Sequence, residues 1–508
     1  MMNSKNLFLA GTCLLVTGCL QGQNKPADYQ EPYRPQVHFS PQEKWMNDPN
    51  GMVYNKGIYH LFYQFYPKAA TWGPMHWGHA ESKDMIHWQQ KPIALYPDSL
   101  GYIFSGSAVV DVNNTSGFGK NGLVPLVAMF TNHDPKGEKE GKDNYQNESI
   151  AYSLDNGSTW TKYSENPVIK NPGIKDFRDP KVMWYEAANK WVMTLATKDR
   201  VTFFSSANLK DWKKETEFGR ELGAHGGVWE CPDLVPLTLN GKTYWVLFVS
   251  INPGGPNLGS ATQYFVGAFD GHTFTPLSKE TKWVDYGPDN YAGVTWSNTG
   301  NRKIFLGWMS NWLYAGQVPT VKWRSAMTIP REIGLKEVNG QILLTSEPAK
   351  EVDNLQLNSK LIKNIKAGNK KLNLNQKLGE LPKQYMLKLK SGEVKSYQIN
   401  LSNAEGEHLV VGFDQQNNRY YIDRRASGQT KFNKDFAGIS YAPRLSVVKN
   451  TDLTLVVDAA SVELFADGGL SVMTGIFFPN KPYNNLQIQA EQAVFNSLEL
   501  IPLKSIWK

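Results

Sequence analysis

Four polar turns closed by an aromatic recur in the first two thirds of the chain: Ser82 to Trp88, Ser153 to Trp160, Ser206 to Trp212 and Asp270 to Phe274. Short aromatic and β-branched runs precede them, paired around Asn/Gly turns. Gly51 to Gln64 folds back at Asn55-Lys56-Gly57, and Val182 to Leu195 and Leu234 to Leu247 repeat the form. No helical periodicity competes with this pattern. A unit that repeats at the spacing of a four-stranded sheet predicts propeller blades. With a last unit from Tyr291 to Trp312 the count is five. A long β-sandwich would not repeat strand, strand, turn and aromatic in that order.

Three acidic residues sit at the openings of these units. They are Asp48 in Trp45-Met46-Asn47-Asp48-Pro49-Asn50-Gly51, Asp179 in Phe177-Arg178-Asp179-Pro180, and Glu230 in Trp229-Glu230-Cys231-Pro232. Each stands beside an aromatic or an arginine and is followed by proline at once or after one residue. Proline fixes φ, removes a donor and predicts an extended residue before it. First strands of blades line a central channel, so carboxylates distant in sequence can meet at one mouth. Several carboxylates converging on a neutral substrate suit glycoside hydrolysis, with one as acid and another as nucleophile.

The chain has 508 residues, which predicts two domains. Aromatics make up 12% of it, suiting a β-rich protein that stacks on sugar rings. The net charge of +7 comes without a long basic block, so nucleic acid is not an expected partner. The densest cluster, Lys360, Lys363, Lys366, Lys370 and Lys371, reads as a solvated linker or sheet face.

At the amino terminus, Lys5 precedes an apolar run from Leu7 to Val16 that is too short to span a bilayer and suits a secretory signal. It ends in Val16-Thr17-Gly18-Cys19, which resembles a bacterial lipoprotein processing site. That implies cleavage before Cys19, acylation of its sulfur, and an exported chain that touches a membrane only through this anchor. Leu20 to Asn24 carries no acidic run, which favours the periplasmic side over the cell surface. Cys231 is then the one thiol left in the soluble part, so no intramolecular disulfide is expected.

WMNDPNG, FRDP, WECPD and a late Ser461 to Gly469 (SVELFADGG) occur in the order found in glycoside hydrolase family 32, the fructan-hydrolysing invertases, levanases and inulinases. The resemblance covers nearly the whole mature chain. It implies an all-β fold: a signal peptide at 1–18, a linker at 19–35, a five-bladed propeller at 36–335 and a β-sandwich at 353–508. It also implies retention of configuration through a fructosyl-enzyme intermediate, and no metal or cofactor. Asp48 matches the nucleophile, Glu230 the general acid/base, and Asp179 the residue that holds the fructosyl hydroxyls and stabilises the transition state. Trp45, Asn47, Gln64, Trp72, Phe104, Ser105, Arg178 and Trp312 match positions of the terminal-fructose site.

Physical chemistry adds expectations to these roles. The nucleophile needs donors such as Asn47 to stay ionised. The acid should be raised by burial against Trp229 and by the charge of Asp48. Arg178 should keep Asp179 charged and oriented. A retaining pair should stand roughly 5–5.5 Å apart. Trp72 and Trp312 could alternatively be blade packing, and Trp308 competes with Trp312 for the pocket. Cys231 reads as a small buried hydrophobe. His76 and His79, with no acidic ligand nearby, read as strand residues and not as a metal pair.

Three other readings share some of these features. The box Ser153 to Trp160 resembles the turn of sialidases, but the arginines here are too scattered to bind a sialate carboxylate. An arabinan-degrading furanosidase would not carry WMNDPNG with WECPD. A sugar-capturing propeller anchored at Cys19 would not require all three carboxylates. Exo action on levan, inulin and sucrose is expected, with an endo-acting levanase as the alternative. The carboxy-terminal part alternates cleanly in Ser396 to Ser402 and Leu453 to Asp458, which is sandwich patterning without a catalytic cluster.

Overall fold

Each recurring hairpin becomes the inner part of an antiparallel sheet in the computed structural model, which describes residues 29–507. The signal peptide at 1–18 and Cys19 lie outside the described residues. The inner strands are Lys44–Asn55, Tyr102–Val110, Phe177–Tyr185, Val228–Leu239 and Tyr291–Thr295. Each contacts the next, and the fifth contacts the first, closing a five-bladed ring. Trp323–Arg324 adds a short parallel strand beside Lys44 and Trp45.

The polar turns join the third and fourth strands of the first four blades. Their acids and amides are there for a local reason: a short side chain can cap its own turn. Asp84 Oδ1 accepts from the Ile86 and His87 amides, Asn208 Oδ1 from Lys210 and Asp211, and Asp270 Oδ1 from His272 and Thr273. The closing aromatics then pack inward, as where Trp88 stacks near Trp296. Apolar wedges between blades hold the ring together, for example Phe62, Trp77 and Ala128 between the first and second.

Two boundaries differ from the sequence reading. The outer hairpin of the fifth blade, Arg331–Val338 with Gln341–Pro348, continues past residue 335. The segment expected as a linker is packed from Tyr29 onward. Tyr29 stacks on Trp507 with ring centroids 3.9 Å apart, and buried Arg34 pairs with Glu31 and donates to Ser40. An arginine with this many partners is part of the fold.

Beyond the propeller, two six-stranded antiparallel sheets enclose one apolar core containing Leu387, Ile399, Val411, Leu455 and Leu498. Lys360, Lys363 and Lys366 line one edge strand with exposed side chains, the solvated face expected of them. Val37, Ile86, Ile329, Val456 and Ile501 pack the sandwich against the propeller.

Candidate active site

Each inner strand carries a β-bulge, two residues facing one on the neighbouring strand, and the five bulges occupy equivalent places. The bulged pairs are Asn47-Asp48, Phe104-Ser105, Asp179-Pro180, Cys231-Pro232 and Ala292-Gly293. A bulge bends the strand and re-aims a side chain, and proline suits it because no ladder donor is lost. Here the sequence expectation needs correction. Asp179 and Cys231, each before a proline, are not extended but left-handed, with φ of 66° and 46°. Such a conformation costs about 1–3 kcal/mol per residue and persists where surrounding packing enforces it.

The bulges bring Asp48, Asp179 and Glu230 to one pocket of about 290 Å³, together with Asn47, Gln64, Trp72, Phe104, Ser105, Arg178 and Trp312. Asp48 accepts from Asn47 Nδ2 at 2.9 Å and from the Ser105 hydroxyl at 2.8 Å. Burial pushes its carboxyl up, as does the charge of Glu230, while the two donors pull it down. Gln64 donates to Asn50 at 3.1 Å. Trp72 stands at the rim, 46% exposed, edge-on to Phe104.

Four expectations are corrected by this geometry. Trp45 does not line the pocket; it is buried behind it, and its indole N–H donates to Asn47 Oδ1 at 2.8 Å, fixing the amide that faces Asp48. Arg178 does not hold the Asp179 carboxylate. Its guanidinium donates to Glu230 Oε1 at 2.9 and 3.1 Å and to Asp176 at 2.8 Å. Trp229 does not cover Glu230, because neighbours on a strand face opposite ways; its indole donates to the Ala224 carbonyl and packs in a wedge with Phe265. Cys231 is more than a filler: its amide donates to Asp179 Oδ2 at 3.0 Å, and its thiol lies 3.5 Å from Asp179 and 3.7 Å from Asp48.

Asp179 is pushed up to about 7, by burial first and then by the charges of Glu230 and Asp48, against the pull of Arg178. Burial likewise pushes the Cys231 thiol well up, so it stays a thiol that donates. No protein donor reaches Asp179 Oδ1 among the described residues.

Several residues in or behind the pocket escaped the sequence reading. The Tyr291 hydroxyl donates to Glu230 Oε2. Gln146 accepts from the Phe177 amide at 2.9 Å and ties the strand before Arg178. His133 stacks on Phe104, centroids 4.3 Å apart, with Glu138 on its Nε2. None stands in a short motif; only their blade positions, opposite or beside the bulges, could have signalled them. Trp312 faces the pocket, and Trp308 is buried beneath it. His79 meets not His76 but His60, the ring nitrogens 3.1 Å apart with Glu81 close by. Burial holds both of these imidazoles below their ordinary value. The 3.1 Å separation with ring centroids 5.4 Å apart sets the nitrogens head to head, the geometry of an N–H···N bond.

A family model, "Glycosyl hydrolases family 32 N-terminal domain", matches residues 38–348, and its partner, "Glycosyl hydrolases family 32 C terminal", matches 351–502. The chain belongs to glycosyl hydrolase family 32. It is a retaining glycosidase with a five-bladed propeller and a β-sandwich. It is 46% identical over 494 residues to a levanase of Bacillus subtilis, covering 94% of this chain and 72% of that protein. An extracellular exo-inulinase of Aspergillus awamori is 40% identical over 91% of this chain and 92% of that one. The crystal structure of the exo-inulinase from Aspergillus awamori superposes with a TM-score of 0.87 at 38% identity, over 94% of this chain and 100% of that chain. A β-fructofuranosidase from Schwanniomyces occidentalis, complexed with fructosyl-erythritol, gives 0.85 at 34%, over 94% and 99%.

Proposed function

We propose that this family 32 enzyme is an exo-acting β-fructosidase that releases terminal fructosyl units from levan, inulin and sucrose. The observation that carries this reading is the convergence of three carboxylates in a pocket of about 290 Å³. Asn47, Gln64 and Ser105 line it beside the carboxylates, a set of hydrogen-bonding groups that suits one terminal fructosyl unit better than a polymer's middle. Named relatives that include a levanase and exo-inulinases support the substrate class.

In this reading the Asp48 carboxylate attacks the anomeric carbon of the terminal fructosyl unit while Glu230 gives its proton to the departing glycosidic oxygen. A covalent fructosyl ester results. Glu230, now a base, then takes a proton from water as that water attacks the same carbon and frees Asp48. Asn47 and Ser105 share the charge of Asp48 between attacks. Asp179, with one oxygen tied to Cys231 and the other open, accepts bonds from the sugar hydroxyls that strengthen as positive charge grows on the ring. Arg178 and Tyr291 hold Glu230 from two sides, so the proton leaves from a fixed place.

A product time course tests the mode. On levan and inulin the expected first and sole small product is fructose, and sucrose should be split as well. A ladder of oligosaccharides with little early fructose would replace the exo reading by an endo-acting levanase.

The same reading places the enzyme outside the cytoplasm, held by acylated Cys19 on the periplasmic side. The Val16-Thr17-Gly18-Cys19 sequence supports the anchor, and the extracellular exo-inulinase among the relatives supports export alone. Labelled fatty acid should enter the wild-type protein in cells and not Cys19→Ala; equal labelling of both would refute the anchor.

A further inference from the structure

The outer face of the second sandwich sheet holds a groove of about 460 Å³ that the catalytic reading leaves without a role. Across five neighbouring strands one row of side chains runs Gln489, Gln398, Gly412, Tyr421, Tyr441. All point outward, because the alternate positions Ile488, Ile399, Val411, Ile422 and Ala442 fill the core. Gly412 makes a dip in the middle of the row. A Cβ there would stand 2.5 Å from the Tyr421 ring, so the ring lies across the glycine. Gln398 stands on the other side of Gly412 from Tyr421 in the same row. The result is a half-buried aromatic face lying along a sheet, flanked by amides.

The two arginines of the groove are already paired within it. Arg419 pairs with Asp414 and lies 3.7 Å over the Tyr441 ring, and Arg425 pairs with Asp423. No unpaired cation is left to attract a phosphate or an acidic peptide, whereas aromatic faces beside amides match a neutral polyhydroxylated chain. The groove is also tied to the rim of the catalytic pocket. Asn257 exchanges hydrogen bonds with the Tyr441 backbone, both 3.0 Å, and its loop continues to Ser260, whose hydroxyl accepts from the Trp312 amide at 3.2 Å. Trp312 lines the pocket.

We propose that this groove is a second carbohydrate site that holds internal units of the fructan whose end is cut in the propeller. The proposal rests on the fructosidase reading. A polymer bound at the sandwich keeps its remaining ends near the pocket, which raises their effective concentration without any new contact at the carboxylates.

The test compares Tyr421→Ala, Tyr421→Phe and Gln398→Ala with wild type. Polymer affinity is measured by affinity electrophoresis in gels containing levan or inulin, in an Asp48→Ala background so that the polymer survives. Hydrolysis of sucrose and of polymer is measured in the active forms. Tyr421→Ala is expected to bind polymer about tenfold more weakly, equivalent to about 1.4 kcal/mol, and Gln398→Ala less so, while Tyr421→Phe keeps the ring and most of the affinity. Sucrose hydrolysis should be unchanged in all three, which also shows that they fold. If Tyr421→Ala or Gln398→Ala loses sucrose activity as well, the other of the two carries the test. Wild-type retention by both variants overturns the groove and leaves the fructosidase reading intact. A wild-type enzyme that cleaves no fructan overturns both.

Discussion

Replacing Asp48 with alanine is expected to lower kcat on sucrose and fructans on the order of 10⁴- to 10⁶-fold, the scale of losing a nucleophile. Glu230→Ala should lose about 10²- to 10⁴-fold, the scale of losing a general acid. The two differ in what restores them. Without Glu230, glycosylation still proceeds when the leaving group needs no proton, and azide can then intercept the fructosyl ester on such substrates. Without Asp48 there is no ester to intercept, so azide should do nothing. Stability gives a second readout. Asp48 is buried beside the charge of Glu230, and both effects raise its carboxyl. Removing that group relieves repulsion, so Asp48→Asn should melt no lower than wild type even though its activity is gone. Glu230→Ala with wild-type rates on natural fructans would sink the assignment of roles. A large drop in the melting temperature of Asp48→Asn would mean that lost activity reports lost fold.

The carboxylates and the blades were legible because both are written locally. A turn acid caps amides two or three residues away, as Asp84 does for Ile86 and His87, and such signals survive in one dimension. The partners of the site residues were not legible, because they are set by which strand lies opposite. Arg178 is adjacent in sequence to Asp179, yet it reaches Glu230, 52 residues on. Trp229 is adjacent to Glu230 and faces a different wedge. Ordinary alternation accounts for Trp229, since neighbours on a strand face opposite ways, and the bulge at Asp179-Pro180 re-aims Asp179 relative to Arg178. Inserting one residue reverses the alternation of a strand and sends neighbours to unexpected faces. The prolines of the family motifs fall at or beside bulges that the sequence reading took for extended strand, and so it gave the wrong backbone at Asp179 and Cys231. Cys231 read as a filler because its chemistry comes from two carboxylates brought in by other blades. Glu463 shows the same limit at larger scale. It lies in the late SVELFADGG motif, but its partners are His38 and Arg331, 425 and 132 residues away.

That buried cluster joins both halves of the protein, and breaking it should destabilise more than any other single change outside the apolar cores. His38 Nδ1 lies 2.7 Å from Asp458 and Nε2 lies 2.8 Å from Glu463, so a protonated ring donates to both. Arg331, from the fifth blade, donates to Glu463 at 3.0 Å and to Asp285 at 2.8 Å, and Asp285 also accepts from the Thr474 amide of the sandwich. Burial works against Glu463 ionising, but the charges of Arg331 and His38 outweigh it and hold the carboxyl below its ordinary value. Arg331→Met would leave Asp285 and Glu463 buried with the arginine gone, a loss of about 3–5 kcal/mol, against a typical total of about 5–15. The cluster also sets a pH dependence. Burial opposes the charged His38 ring, yet its two carboxylate partners prevail and raise it from 6.5 to about 9. A group raised on folding stabilises the native state fully below its unfolded value and loses that contribution as pH rises through its folded value. At about 1.4 kcal/mol per pH unit, His38 contributes about 3 kcal/mol below pH 6.5, lost as pH climbs through about 9. Urea unfolding from pH 6 to pH 10 should therefore show wild type weakening by about that amount relative to His38→Gln, which cannot take up the proton. Parallel curves for the two proteins would mean that His38 is neutral in the fold, and that hydrogen bonds without charge hold the halves together.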